Sequence, residues 1–374
     1  MEAVINVSLC MIVKNEEETI GRCLDSVRDL VDEINIVDTG STDRTREIVA
    51  RYTDRIFDFA WKQDFAAARN YSFEQATQDY VFWLDADDVL LEPDRERFRE
   101  LKNTLDPRID SVIMNYVLSR DSAGNAHNVT RHNRLVKRAI GPRWIYPIHE
   151  ILVIRGNLLF SPVEITHAPK LEKRNRTRNL TILQEHIRKE GLSRRSEFYL
   201  ANELFDNERY DEALAAYESF LEGPVENFED HIAACGVLAH LYHERGDSAK
   251  ELNYLFKTFE YDVPRADYCC RIGLWFEQKG EFRQAAFWYE LAAGQDIPVD
   301  YFGLMNLVCW TWAPHVQLTL CYGKLGELGK ALEHNEKALA YFPNDPNLLE
   351  NKRKLEAAME QQRQQADQDA ADAP

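Results

Sequence analysis

Hydrophobic residues fall along the chain in two different rhythms. In the first, short apolar runs alternate with segments of helical period. "VSLCMIV", residues 7–13, is apolar almost throughout, as a strand buried on both faces would be. In the following "EEETIGRCLDSVRDLV", Ile20, Leu24, Val27 and Leu30 recur at the spacing of one helix face. "EINIVDTG" reads as the next strand, and "STDRTREIVARY" as a helix with Ser41 or Thr42 at its N-cap. "RIFDFAW", a helix around "DFAAARNYSFEQAT" and the strand "DYVFWLDADD" continue the alternation. Strand and helix in turn predict an α/β fold with a mostly parallel sheet covered on both faces. Ligands of such sheets bind at the carboxyl ends of the strands. Asp38 and the cluster Asp85, Asp87 and Asp88 both fall there.

From about residue 196 the rhythm changes to helix only, and a skeleton recurs. An apolar–small pair (Leu200-Ala201, Ile272-Gly273, Leu318-Thr319) is followed by a large residue (Leu204, Phe276, Tyr322). A small residue (Ala213, Ala285, Ala331) then opens a second helix. These offsets resemble the tetratricopeptide repeat, a helix pair packed closely through small residues. "VLAHLYHERGDSAKELNYLFKTFE" reads as a degenerate copy, and "IPVDYFGLMNLVCWTWAP" interrupts the period. The predicted organisation is an α/β domain over 1–169, a basic connecting helix over 170–195, an all-α repeat domain over 196–354 and a disordered tail over 355–374. Stacked helix pairs make a curved surface suited to a peptide or protein, or to self-association into a homo-oligomer.

Composition narrows the class. A hydrophobic content of 45% with 29% charged residues is that of an ordinary globular protein. A net charge of -18 argues against nonspecific nucleic-acid binding, which needs clustered Lys and Arg. No apolar run is long enough to span a membrane, and the first residues lack the basic region of a signal peptide, so a cytoplasmic location is expected. The seven cysteines form no CxxC pair and suit reduced, buried thiols, which makes the sequons at Asn128, Asn175 and Asn179 accidental.

The chemistry concentrates in "YVFWLDADDVL". A buried strand that delivers three carboxylates to one place needs a counter-charge, because clustered acids repel and are costly to desolvate. Oxygen ligands of this kind suit Mg or Mn, whose remaining coordination positions are commonly filled by substrate phosphates. Asp38, at the end of the second strand in "VDTGSTDRT", can accept hydrogen bonds from a base or ribose; Gly40 and Ser41 alternatively serve only the turn and helix cap. "RHNRLVKRAIGPRW" supplies Arg131, Arg134, Lys137, Arg138 and Arg143, of which one or two, Arg134 among them, are candidates to reach a diphosphate.

Together, "VSLCMIVKNEEETIGRCLDSV", "EINIVDTGSTDRTREI" and "WKQDFAAARNYSFEQATQDYVFWLDADD" resemble the catalytic domain of family 2 glycosyltransferases, which have the GT-A fold. With a following repeat domain, the chain also resembles bacterial family members related to peptide S-glycosyltransferases. The resemblance implies that Asn15 and Glu16 lie near the nucleotide, with Asp38 on the base. It implies that Asp64 and Arg69 support ribose and diphosphate, that Asp85 faces the ribose or metal, and that Asp87 is the main metal ligand, with His167 in "EITHAP" completing the shell. Asp88 is expected to face the sugar or to be structural. His149-Glu150 in "PIHE" is the candidate acceptor side, with Glu150 as base. Alternatively, Glu150 pairs with Arg143 or Arg155.

The expected function is metal-dependent inverting transfer from a nucleotide-sugar, a UDP-sugar by resemblance, to a peptide or protein side chain. Two alternatives remain: a cell-surface glycan or lipid-linked acceptor, or a repeat scaffold carrying an inactive nucleotide-sugar-binding domain. A nucleotidyltransferase is disfavoured because "KNEEETIG" is acidic where that chemistry wants a basic glycine-rich loop.

Overall fold

The computed structural model describes residues 4–170 and 176–371; the sequon at Asn175 and part of the connecting segment lie outside the described residues. The chain forms two compact units. The first comprises 1–120, 128–216 and 299–304, the second 121–127, 217–298 and 305–374.

The first unit is an α/β domain. Its strands are β1 (Val7–Val13), β2 (Glu33–Asp38), β3 (Ile56–Asp58), β4 (Tyr80–Trp83), β5 (Asp88–Val89), β6 (Ser111–Arg120), β7 (Ala126–Lys137), β8 (Arg143–Ile145), β9 (Ile151–Val153) and β10 (Leu158–His167). The main sheet runs β3-β2-β1-β4-β7-β6-β10-β5, and β8 pairs with β9 as a separate hairpin. The half built from β3, β2, β1 and β4 is parallel, as the alternation predicts. The other half is mixed: β7 lies antiparallel to β4, β10 parallel to β6 and β5 antiparallel to β10.

Both faces of the sheet are covered, which explains why β1 and β4 are apolar at successive positions. Leu9, Met11 and Phe82 pack on one face with Ile20 and Leu24 of α1 (Ile20–Val27). Cys10, Val81 and Trp83 pack on the other with Ala66 and Phe73 of α3 (Phe65–Glu74). Between them, α2 (Thr45–Val49) starts later than the expected cap at Ser41 or Thr42. Ser41 instead donates from its hydroxyl to Asp38 and accepts from the Asn15 amide, and is committed to the turn. The domain is completed by α4 (Glu92–Thr104), α5 (Arg176–Glu190) and α6 (Arg194–Asp206).

The chain then runs through α7 (Tyr210–Glu222) into the helical repeats: α8 (Phe228–Glu244), α9 (Ser248–Lys257), α10 (Ala266–Gln278), α11 (Phe282–Ala293), α12 (Ala313–Leu325) and α13 (Leu328–Tyr341). The small residues of the skeleton sit where helices meet. Ala285 and Ala331 are fully buried, and a Cβ on Gly273 would lie 2.8 Å from the ring of Tyr289. The tail departs from expectation. Within α14 (Pro346–Ala371) the stretch from 355 to Ala371 is helical: Leu355 packs against the repeats, and Ala, Glu and Gln are strong helix formers. Among the described residues no helix is long and apolar enough to cross a membrane.

Candidate functional site

Strand β4 ends at the rim of the sheet, and the next turn folds the carboxylates together. Asp88 donates its amide to the Asp85 carbonyl at 3.1 Å and accepts the Asp85 amide on Oδ2 at 3.0 Å. The same Oδ2 takes Arg134 Nη1 at 3.0 Å, and both side chains are essentially solvent-free. Arg134 is gripped between the rings of Trp83 and Tyr116, at 3.8 and 4.6 Å. That leaves Asp88 Oδ1 buried without a hydrogen-bond partner among the described residues.

The residue that faces this oxygen comes from far along the chain. Antiparallel pairing of β5 with β10 puts His167 opposite Asp88, and the Ala168 amide donates to the Asp87 carbonyl at 2.8 Å. His167 Nδ1 lies 3.7 Å from Asp87 and 3.8 Å from Asp88, and shares a 2.8 Å hydrogen bond with the Tyr116 hydroxyl. One ligand atom from each of Asp87, Asp88 and His167 lies within 4.8 Å of the others. Burial pushes the Asp87 carboxyl up, and the charges of Asp85, Asp88 and Glu16 add to it against the opposing pull of His167. Two carboxylates, one of them with an orphaned buried oxygen, and an imidazole fit a divalent cation, which would offset that repulsion.

Beside the cluster, Arg69 of α3 bridges two acids. Its Nε donates to Glu150 at 2.6 Å and its Nη2 to Asp85 at 2.8 Å, while Trp83 and Trp144 flank the guanidinium at 4.8 and 5.0 Å. Burial raises the Asp85 carboxyl, but Arg69 first and Arg134 next outweigh it and hold the group below its ordinary value. A cleft of about 480 Å³ opens against Arg69, Asp85 and Asp87, with Lys14, Asn15, Trp61 and Arg178 among its walls.

Several expected site residues take other places. Asp85 is claimed by Arg69 and is absent from the cation cluster, where Asp88 stands instead. Arg134 cannot reach a diphosphate because it is buried and paired with Asp88. His149 turns away from the cleft: its Nε2 bonds Glu203 at 2.8 Å and its ring stacks on Tyr199 at 4.2 Å. Glu150 does pair with an arginine, but with Arg69 rather than Arg143 or Arg155. Asp64 caps α3 by accepting from the Ala67 amide. Asp38 is buried and accepts from Ser41 and from Arg46, so its turn uses both oxygens.

Asn15 and Glu16 do line the cleft, as does Arg69. Asn15 adopts φ 55° and accepts the Thr42 amide at 2.8 Å, fixing the β1 loop against the Asp38 turn. Lys14 and Arg178 are cleft cations that the sequence reading passed over in favour of the 131–143 stretch. For Lys14 the signal was available, since it follows β1 directly at the strand's carboxyl end.

Residues 8–161 match Glycosyl transferase family 2, so the α/β unit carries a glycosyltransferase-like segment, and helical repeats follow it in the chain. Among relatives, a TPR repeat-containing protein of Synechococcus elongatus is 37% identical over 40% of this chain and 36% of its own length. The SPbeta prophage-derived glycosyltransferase SunS of Bacillus subtilis is 24% identical over 69% of this chain and 62% of its own. The lipopolysaccharide core biosynthesis glycosyltransferase LpsC of Rhizobium meliloti is 30% identical over 40% of this chain and 58% of its own. The chain thus spans less than two thirds of each relative.

Proposed function

We propose that the protein is an inverting glycosyltransferase that moves a sugar from a nucleotide-sugar to a peptide or protein side chain. The observation that carries this is the Asp87, Asp88 and His167 cluster at the rim of the sheet, beside a cleft with cationic walls. Mn or Mg held there would offset the charge that builds on the diphosphate leaving group. Lys14 and Arg178 add positive charge for the same diphosphate, and Asn15 and Glu16 border the nucleotide. A UDP-sugar is the donor that the family resemblance favours.

In the transfer, a lone pair of the acceptor heteroatom attacks the anomeric carbon. The bond from that carbon to the diphosphate oxygen breaks, and its electron pair leaves with the nucleoside diphosphate. Glu150 takes the acceptor proton through Oε2, since Oε1 is occupied by Arg69. Arg69 fixes that carboxylate relative to Asp85. The curved surface of stacked helix pairs favours a peptide or protein acceptor. A glycan acceptor is the second reading, favoured by the likeness to a relative named for lipopolysaccharide core biosynthesis. The seven cysteines are free thiols, in keeping with a cytoplasmic location.

The test is a thermal-shift screen of nucleotides and nucleotide-sugars, with and without Mn, on the wild type and Asp87→Ala. One nucleotide should stabilise the protein only when both metal and Asp87 are present, by about 2.7 kcal/mol at a hundredfold excess over Kd. Stabilisation by none of them would favour the scaffold reading.

A further inference from the structure

We infer that α6 positions the Glu150 carboxylate, with Glu203 and Arg195 holding His149 and thereby the residue next to it. The inference rests on the role proposed for Glu150. Residues 146–150 join β8 to β9, and two of them, Tyr146 at φ 71° and His149 at φ 51°, occupy the left-handed region that L side chains rarely adopt. Such residues persist when their surroundings over-determine them, and they cluster at functional sites.

The surroundings here are specific. Glu203, itself buried on α6, takes His149 Nε2 at 2.8 Å. Arg195 Nη2 donates to the His149 carbonyl at 2.6 Å and lies over the Tyr146 and Tyr199 rings at 4.8 and 4.5 Å. Tyr199 stacks on the His149 ring. From the other side, the Phe65 amide at the start of α3 donates to the Pro147 carbonyl at 2.9 Å, and Ile148 packs with Ile182 and Leu183 of α5.

Clamped in this way, the loop delivers Glu150 onto Arg69. The cation cluster is placed by a different part of the structure, the pairing of β5 with β10. Loosening the α6 clamp therefore moves the proton-accepting carboxylate and leaves the cation cluster in place. Turnover and donor binding should separate.

The experiment uses the full chain and the UDP-sugar selected by the thermal-shift screen, with water as acceptor and UDP release as readout. Glu203→Ala should lower kcat about ten- to a hundredfold, the scale of a misplaced reacting group. The donor KM and the Mn-dependent shift with UDP should stay within twofold of wild type. Glu203→Gln, which can still bond His149, should recover most of kcat, and adding His149→Ala to Glu203→Ala should lower it no further. Amide exchange over 146–150 should quicken in Glu203→Ala. If Glu203→Ala fails to fold, Arg195→Met removes the other half of the clamp and should show the same split. A loosened loop with kcat within twofold of wild type would overturn the inference while leaving the glycosyltransferase reading intact. A wild type that neither releases UDP nor responds to Mn with UDP would overturn that reading and the inference with it.

Discussion

Replacing Arg69 with Met withdraws one cation from two carboxylates at once. The Arg69 and Glu150 side chains are only 11% and 13% exposed, whereas Asp85 is 36% exposed. Stranding the more buried acid costs about 3 kcal/mol, the lower end for breaking a buried pair. Solvent screening reduces the Asp85 share to about 1 kcal/mol. A Met side chain between Trp83 and Trp144 returns about 1 kcal/mol through sulfur–aromatic contact, so the net loss near pH 7 should be about 3 kcal/mol. Its pH dependence is diagnostic. In the wild type the depressed Asp85 carboxyl contributes stability that is fully present above its unfolded value of about 3.9 and is lost as pH falls through its folded value. In the variant the Asp85 carboxyl loses its largest lowering influence and rises under burial, so the penalty is complete at neutral pH and fades as that carboxyl binds a proton. Urea denaturation at pH 7 and pH 4.5 would measure this, and the gap between the two proteins should narrow at the lower pH. A variant as stable as wild type at pH 7, or a gap that is the same at both pH values, would refute the argument.

Two further outcomes follow from the site and the repeats. Lys14→Ala and Arg178→Ala should each raise the donor KM about tenfold, the worth of one charge-assisted hydrogen bond, with little change in kcat and a smaller effect at high salt; steady-state kinetics against donor concentration checks this. Gly273→Ala would place a methyl 2.8 Å from the Tyr289 ring and should destabilise the repeats by about 1–3 kcal/mol, seen as a lower midpoint in thermal denaturation.

The parallel half of the sheet was legible because periodicity is local: Ile20, Leu24 and Val27 announce a covering helix, and all three are buried. The repeat skeleton was legible for the same reason. Asp88 was not. Nothing near it in the chain shows that β5 will pair with β10, and only that pairing sets His167 beside its unpartnered oxygen. Arg134 was read as a diphosphate ligand because its partners, Trp83 and Asp88, lie on other strands and cannot be seen from the basic stretch around it. His149 misled because its neighbour Glu150 faces Arg69, whereas a left-handed backbone at His149 sends the imidazole to α6. The helical tail was missed because low hydrophobicity was weighed above the helix propensity of Ala, Glu and Gln.

The two-residue strand β5 has a consequence for the chain as it is made. Asp87 and Asp88 leave the ribosome long before His167, so an unfinished chain carries the acids without the imidazole that faces them. A cation held by all three groups, as proposed, would mark a sheet in which β10 has docked on β5. A product truncated before His167 lacks the complete cluster, so on the proposed reading it could not hold the cation and would be idle.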